Sequence, residues 1–203
     1  MKLNYDELWL KTRNEYASIW INFNLNLLIK ERRLRKDEKL NKIDLEIRKN
    51  QTMNEVKFLL KLNKIINVPK VIAWDEYTII MEFLGLNSFY SLLKESSESF
   101  NYKQMFFELG KVVAKLHENG IIHNDLVTGN LILKDDEIYF IDFGESFESN
   151  DLHDFVKDIL TIKNDLKQNH QNILDAFNYF LEGYKKSKYY KMVIDKINKI
   201  VSN

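Results

Sequence analysis

The stretch His123-Asn124-Asp125-Leu126-Val127-Thr128-Gly129-Asn130, followed twelve residues after Asn130 by Asp142-Phe143-Gly144, constrains this chain more than any other feature. It reads H-x-D-x-x-x-x-N, then two short apolar runs, then D-F-G. The spacing suits phosphoryl transfer. One carboxylate must sit beside the hydroxyl or water that attacks a terminal phosphate, and Asp125 is placed for that. An amide and a second carboxylate must hold magnesium on the phosphates, and Asn130 and Asp142 are placed for that. Leu131-Ile132-Leu133 and Ile138-Tyr139-Phe140-Ile141 read as two strands joined by the polar turn Lys134-Asp135-Asp136-Glu137. Such a hairpin brings Asn130 and Asp142 back to one end.

Upstream, the apolar patterns are those of strands. Leu8-Trp9-Leu10 opens one, and Ala17 to Phe23 alternates in part. After a turn at 24–26, Leu27-Leu28-Ile29 ends on Lys30. In a kinase small lobe, a lysine ending this strand contacts the α- and β-phosphates. Residues 52–64 read as a helix with Val56, Leu59 and Leu60 on its apolar stripe and Pro69 beyond its end. Glu55 has two readings. It can hold the Lys30 ammonium toward the phosphates, or, as the last residue of Thr52-Met53-Asn54-Glu55, it can close a capping box. The strand ending in lysine just before it favours the ion pair. Val71 to Trp74 and Tyr77 to Phe83 read as two further strands. Where the second ends, the Glu82 carbonyl and the Leu84 amide are the expected backbone partners of adenine.

Glycine is absent before Gly85, so no glycine-rich loop can cover the phosphates near 12–16. Other backbone amides or side chains must do so. Residues 30–49 carry nine basic and five acidic residues. They form either a solvated mixed-charge segment or a patch for an anionic partner such as RNA.

Residues 101–119 give the clearest helix, with Met105, Leu109, Val112 and Leu116 in line, Asn101 as N-cap and Gly120 as stop. His117 reads as a helix-end histidine. Only 59 residues follow Gly144. They suggest a helix from near Asp154, another over about 170–186, and a lysine-rich last helix over 185–203, with Met192, Val193, Ile197 and Ile200 facing inward. No A-P-E sequence follows D-F-G, which leaves no room for the platform on which protein kinases lay a peptide. The absence of cysteine excludes disulfides and thiolate metal sites, and no apolar run is long enough to span a membrane. A cytoplasmic protein is the expectation.

Taken together, these pieces resemble the small atypical Ser/Thr kinase/ATPase subunit of the KEOPS tRNA-modification complex (the yeast bud-site kinase and human PRPK family). The resemblance rests on Leu28-Ile29-Lys30, Arg48 to Glu55, Val68-Pro69-Lys70-Val71, Ile80 to Gly85, His123 to Asn130, Tyr139 to Gly144, Asp158-Ile159-Leu160 and Phe180 to Tyr184. One departure is Asn124, where the family has glycine. The resemblance implies an α+β, protein-kinase-like bilobal fold: a small N-terminal β-rich lobe plus one helix (1–84) and a reduced, mostly helical C-terminal lobe (85–203). It implies ATP and Mg2+, with Asp125 and Lys30 catalytic. Lys30, Glu55, Glu82, Leu84, Asn130 and Asp142 would bind the nucleotide, and Asn130 and Asp142 the metal. It implies ATP-dependent transfer to Ser/Thr or to water in threonylcarbamoyladenosine modification. The implied partners are a Kae-type threonylcarbamoyl transferase subunit and another small KEOPS subunit, with tRNA contact through segments 30–49 and 185–199. The alternative is a small-molecule phosphotransferase of the aminoglycoside or choline kinase type, for which 59 residues after Gly144 look too few.

Overall fold

A computed structural model describes residues 9–13, 17–32, 42–95 and 100–201. The N-terminal part is a five-stranded antiparallel sheet in the order β1-β2-β3-β5-β4. Its strands are β1 (Trp9–Arg13), β2 (Ser18–Asn22), β3 (Leu27–Glu31), β4 (Val71–Trp74) and β5 (Thr78–Glu82). Pairing of β2, β3 and β5 sets Ile21, Leu28 and Met81 side by side, and likewise Ile19, Lys30 and Ile79. Since side chains alternate across a strand, these six share one face. Lys30 is the one charge on that apolar stripe. In the β4–β5 turn, the Asp75 side chain accepts hydrogen bonds from the amides of Tyr77 and Thr78.

Helix α1 (Lys42–Leu62) begins at least ten residues before the helix expected over 52–64. Its first half has no apolar stripe, and Ile43 and Ile47 are exposed. Hydrophobic periodicity therefore could not reveal it, although Asp44 and Arg48 stand four apart, a helix-supporting spacing. Thr52 is thus mid-helix and caps nothing. Its hydroxyl donates to the Arg48 carbonyl one turn back. The buried stripe is Thr52, Glu55, Val56, Phe58, Leu59 and Leu62, while Leu60 faces solvent.

The remaining part is mostly helical. Helices α2 (Phe89–Lys94) and α3 (Tyr102–Glu118) are capped by the side chains of Ser88 and Asn101. A short strand β6 (Ile121–Ile122) pairs with β9 (Phe147–Glu148). The expected hairpin forms from β7 (Leu131–Lys134) and β8 (Glu137–Phe140). Its two turn residues, Asp135 and Asp136, have φ of 52° and 61°, as the left-handed two-residue hairpin turn requires. Then follow α4 (Leu152–Asn169), α5 (Ala176–Tyr184) and α6 (Tyr190–Val201). Between Gly144 and α4 the only element is β9, so the chain passes straight from the motif into a core helix. Helix α3 packs most closely on α5, and each glycine at that crossing meets backbone of the other helix: Gly110 at Phe180, Gly183 at Phe107.

One expectation changes here. On α6, Val193 and Ile197 are buried but Met192 and Ile200 are nearly half exposed. His117 stands in the last turn of α3, as expected, and is fully buried there. Its ring stacks on Phe155 and bonds Tyr184 Oη at 2.8 Å and Asp158 Oδ2 at 3.3 Å.

Candidate active site

The site lies where the inner face of the sheet, α1 and the segment around β7 and β8 meet. Lys30 Nζ stands 3.0 Å from Glu55 Oε2 and 2.7 Å from Asp142 Oδ1. Glu55, on the buried stripe of α1, is 1% exposed. The ion-pair reading of Glu55 is therefore the one the geometry realises. The same two carboxylates also hold Arg32, whose Nη2 lies 2.7 Å from Glu55 Oε2 and 3.2 Å from Asp142 Oδ1. Two cations and two anions thus close a four-residue cluster. Burial pushes the Asp142 carboxyl up, but the charges of Lys30 and Arg32 outweigh it and hold Asp142 at about 2.

Asp142 sits at φ 62°, a left-handed backbone that a non-glycine residue adopts only under local constraint. Two contacts supply the constraint. Ile141 N donates to the Asn130 carbonyl, which returns the hairpin to its starting end, and His123 Nε2 bonds the Ile141 carbonyl. On the α1 side, Asn54 Nδ2 donates to the carbonyls of Gly144 and Ser146.

Asp125 is exposed at the edge of this cluster, on the loop between β6 and the short 3-10 turn Thr128–Asn130. Asn130 Nδ2 donates to Asp125 Oδ2 at 2.8 Å and to its carbonyl at 3.0 Å. That contact turns the Asn130 amide oxygen away from Asp125. The loop is anchored from beneath by α4. Asp158 accepts from the backbone amides of His123 (2.9 Å) and Asn124 (2.8 Å) as well as from His117. Burial pushes the Asp158 carboxyl up, and the bonds and charges of His117 and His123 hold it below the ordinary aspartate value. Asn124 has φ 65°, a backbone that asparagine tolerates better than most residues, so it can stand where the family has glycine. A second buried carboxylate, Asp165, accepts from both the amide and hydroxyl of Thr128 and so fixes the turn that carries Asn130.

A cavity of about 420 Å³ runs from this cluster along the inner face of the sheet. Lys30, Glu55 and Asp142 line one end, and Glu82, Leu84 and Gly85 the other. The Glu82 carboxylate accepts a hydrogen bond from Lys134 Nζ at 2.6 Å. The walls between are apolar, with Ile21, Leu28, Met81 and Ile132 among them, so a flat ring system would be sandwiched there. A second cavity, of about 540 Å³, opens on the other side of Lys30 and is bounded by Arg32, Asn124, Asp125 and Gly144. Six of the seven expected site residues therefore line these two adjoining cavities, and the seventh, Asn130, is joined to them through its bond to Asp125.

Arg32, Asp158 and Asp165 were missed as site residues. Arg32 belongs to the basic segment 30–49, of which residues 33–41 lie outside the described residues; so do residues 14–16 of the expected phosphate-covering loop. The signal for Asp158 and Asp165 was present. Each is a carboxylate on the buried face of α4, among Phe155, Val156, Ile159, Ile162 and Leu166, and such a group is kept only with partners.

An antiparallel sheet with one helix, joined to a helical part through a cleft bearing Lys-Glu-Asp and Asp-Asn, defines a kinase-like protein. The fold matches the solved streptomycin-ATP-APH(2")-IIa ternary complex with a TM-score of 0.63, covering 94% of this chain and 80% of that one. At 14% identity this likeness concerns the fold alone. The RIO domain family model matches residues 26–179. The KEOPS complex subunit Bud32 of Pyrococcus abyssi is 30% identical over 174 residues, 84% of this chain and 78% of that protein. A probable bifunctional tRNA threonylcarbamoyladenosine biosynthesis protein of Methanosphaera stadtmanae is 37% identical over 122 residues, or 60% of this chain. This chain spans 22% of the length of that bifunctional protein. The chain belongs to the RIO-domain family and, within it, to the Bud32 kinases.

Proposed function

We propose that this chain is the Bud32-type subunit of a KEOPS assembly. It transfers the terminal phosphoryl group of ATP to a Ser/Thr hydroxyl or to water in support of tRNA threonylcarbamoyladenosine formation. The observation that carries this reading is the joining of Lys30, Glu55 and Asp142 with Asp125 and Asn130 around a single cleft, in a chain of the Bud32 family. The aminoglycoside- or choline-kinase-type reading shares the fold but lacks this family support.

In the proposed site, adenine lies between the apolar walls against the Glu82 carbonyl and the Leu84 amide. Lys30, steered by Glu55, neutralises phosphate charge. Asp125, exposed and oriented by Asn130, accepts the proton of the attacking hydroxyl or water. The residues present fit Mg2+. Asp142 offers an ionised carboxylate, and Asn130 an amide oxygen. Among the described residues no group of three or more His, Cys, Asp or Glu could hold a metal. A two-ligand protein site suits magnesium, which completes its shell with phosphate oxygens and water. When bound, it would neutralise charge on the phosphates.

We place the lobe boundary near 84–85. A Kae-type threonylcarbamoyl transferase subunit and another small KEOPS subunit are the proposed partners, with tRNA near segments 30–49 and 185–199, in the cytoplasm. Among the described residues no helix is long and apolar enough to cross a membrane. The test is affinity purification of the tagged chain from its source cell, followed by an ATP turnover assay on the captured material. Co-purification of a Kae-type subunit and ATP turnover lost on Asp125→Ala are expected. A captured complex without such a subunit, or full turnover in the variant, overturns the reading.

A further inference from the structure

Asn130, the amide of the proposed magnesium site, sits on a turn with little packing of its own. Thr128–Asn130 is a single 3-10 turn with glycine at its centre. Gly129 has open space where a side chain would stand, so nothing packs on the middle of the turn, and glycine leaves the backbone its widest freedom. One end is tied by the Asn130 carbonyl, which accepts from Ile141 N at 3.1 Å. The other end is tied by Thr128, which is fully buried.

Two groups outside the cleft hold Thr128. Its amide and its hydroxyl both donate to Asp165 Oδ2, at 2.8 and 2.7 Å. An ionised carboxylate only accepts, so the single hydroxyl hydrogen is committed there. The 3.0 Å contact with His170 Nε2 is then a bond that the histidine donates. The other oxygen of Asp165 accepts from Asn169 Nδ2 at 2.8 Å, and the His170 ring stands edge-on to Tyr90 of α2 at 5.4 Å. Asp165 is 8% exposed and His170 2%, and neither lines the two cavities of the site. A buried polar cluster that satisfies itself rigidifies its surroundings and selects one geometry.

What the cluster steadies is the Asn130 amide. Asn130 Nδ2 is committed twice to Asp125, so the direction of its oxygen follows the turn and Asp125 together. We infer that Asp165 and His170 are positioning residues for the magnesium site, acting through the Thr128 hydroxyl on the turn that presents the Asn130 oxygen. This inference rests on the nucleotide and metal reading of the cleft. Two roles separate. A cluster that only stabilises the helical part would lower the melting temperature and leave the magnesium requirement of nucleotide binding untouched. A cluster that positions Asn130 changes that requirement, as the hydrogen-bond partners of metal ligands generally do.

The experiment is calorimetric titration with ADP, without Mg2+ and at a series of Mg2+ concentrations, of wild-type, T128S, T128V, D165N, H170N and G110A protein, each with its melting temperature recorded. T128V and D165N are expected to raise the Mg2+ concentration that gives half of the gain in ADP affinity about tenfold or more, while affinity without Mg2+ changes less than about twofold. T128S keeps the hydroxyl and is expected to stay within about twofold of wild type. G110A, altered at the α3–α5 crossing, is expected to melt lower without moving the magnesium requirement. Should T128V and D165N fail to fold, H170N decides, because it removes only the donor to the hydroxyl; a shift of about threefold or more is expected. An unchanged requirement in every folded variant, or an equal shift in G110A, overturns the inference and leaves nucleotide binding intact. Wild-type ADP affinity that is indifferent to Mg2+ overturns the metal reading too, and a wild-type protein that binds no ADP overturns the proposed function as well.

Discussion

Lys30 Nζ stands 2.7 Å from Asp142 Oδ1, tying the middle strand of the sheet to the residues that follow the β7–β8 hairpin. This pair forms the floor of the cleft, and it separates two functions that substitution can resolve. Asp142→Ala is expected to abolish magnesium-dependent nucleotide binding. Asp125→Ala is expected to keep nucleotide affinity and lower turnover about 100- to 10,000-fold, the worth of a general base. Titration calorimetry beside an ATP turnover assay checks both, and identical phenotypes would count against the assignment. Because Asp142 is held at about 2, below the ordinary aspartate value of 3.8, its ion pairs stabilise the fold at pH above 3.8. That contribution is lost only as the pH falls through about 2.

Glu55 serves two buried cations at once. Glu55→Ala leaves Lys30 and Arg32 sharing Asp142 alone. The expected cost is about 3–5 kcal/mol, the range for breaking a buried pair from one side. Chemical denaturation measures it. A loss below about 1 kcal/mol would mean that water or Asp142 compensates fully.

Asp158 offers both carboxylate oxygens to backbone donors. In Asp158→Asn one oxygen becomes an NH2 facing an N–H, so one amide of the His123–Asn124 loop is left unpaired. The expected loss is about 1–3 kcal/mol of stability, together with a fall in kcat at nearly constant KM for ATP. The loop that carries Asp125 loosens, whereas Glu82 and Leu84, the proposed partners of adenine, line the other cavity. A change in KM alone would contradict this.

Gly110 and Gly183 permit the α3–α5 crossing. An alanine Cβ at Gly110 would overlap the Phe180 carbonyl, and one at Gly183 the Phe107 carbonyl. Each substitution should cost about 1–3 kcal/mol or more, since backbone cannot yield as a flexible side chain does. Gly129→Ala, with open space around it, should stay within about 0.5 kcal/mol. Thermal denaturation of the three variants provides the comparison.

His170 lies 3.0 Å from the Thr128 hydroxyl and is 2% exposed. Burial pushes its pKa below the ordinary 6.5, with Asp165 raising it and Lys94 lowering it. The unfolded chain therefore binds this proton first as the pH falls. The stability that neutral His170 contributes is present above pH 6.5 and is lost as the pH drops through the folded value. His170→Asn should flatten the pH dependence of the melting temperature in the window just below 6.5.

Much of the site was readable in the chain itself. His123 to Asn130 and Asp142 to Gly144 are contiguous motifs, and the hairpin between them follows from two apolar runs and a polar turn. Lys30 ended a recognisable strand. The first half of α1 was not readable, because a helix face turned to solvent carries no apolar stripe. The inward turn of His117 was not either, since a histidine at a helix end looks the same in sequence whether solvent or Asp158 stands beyond it.

The sequence by itself determined which chemical groups are present and in what order, because strands, turns and catalytic loops are written in short-range spacing. Only the tertiary structure decided which charges meet. Arg32 and Asp142 lie 110 residues apart in the chain, and Asp158 lies more than 30 residues beyond the loop it holds. Such contacts depend on how the sheet, α1 and α4 pack around one core. Burial then turns an ordinary surface arginine and an ordinary helix aspartate into groups that must find partners.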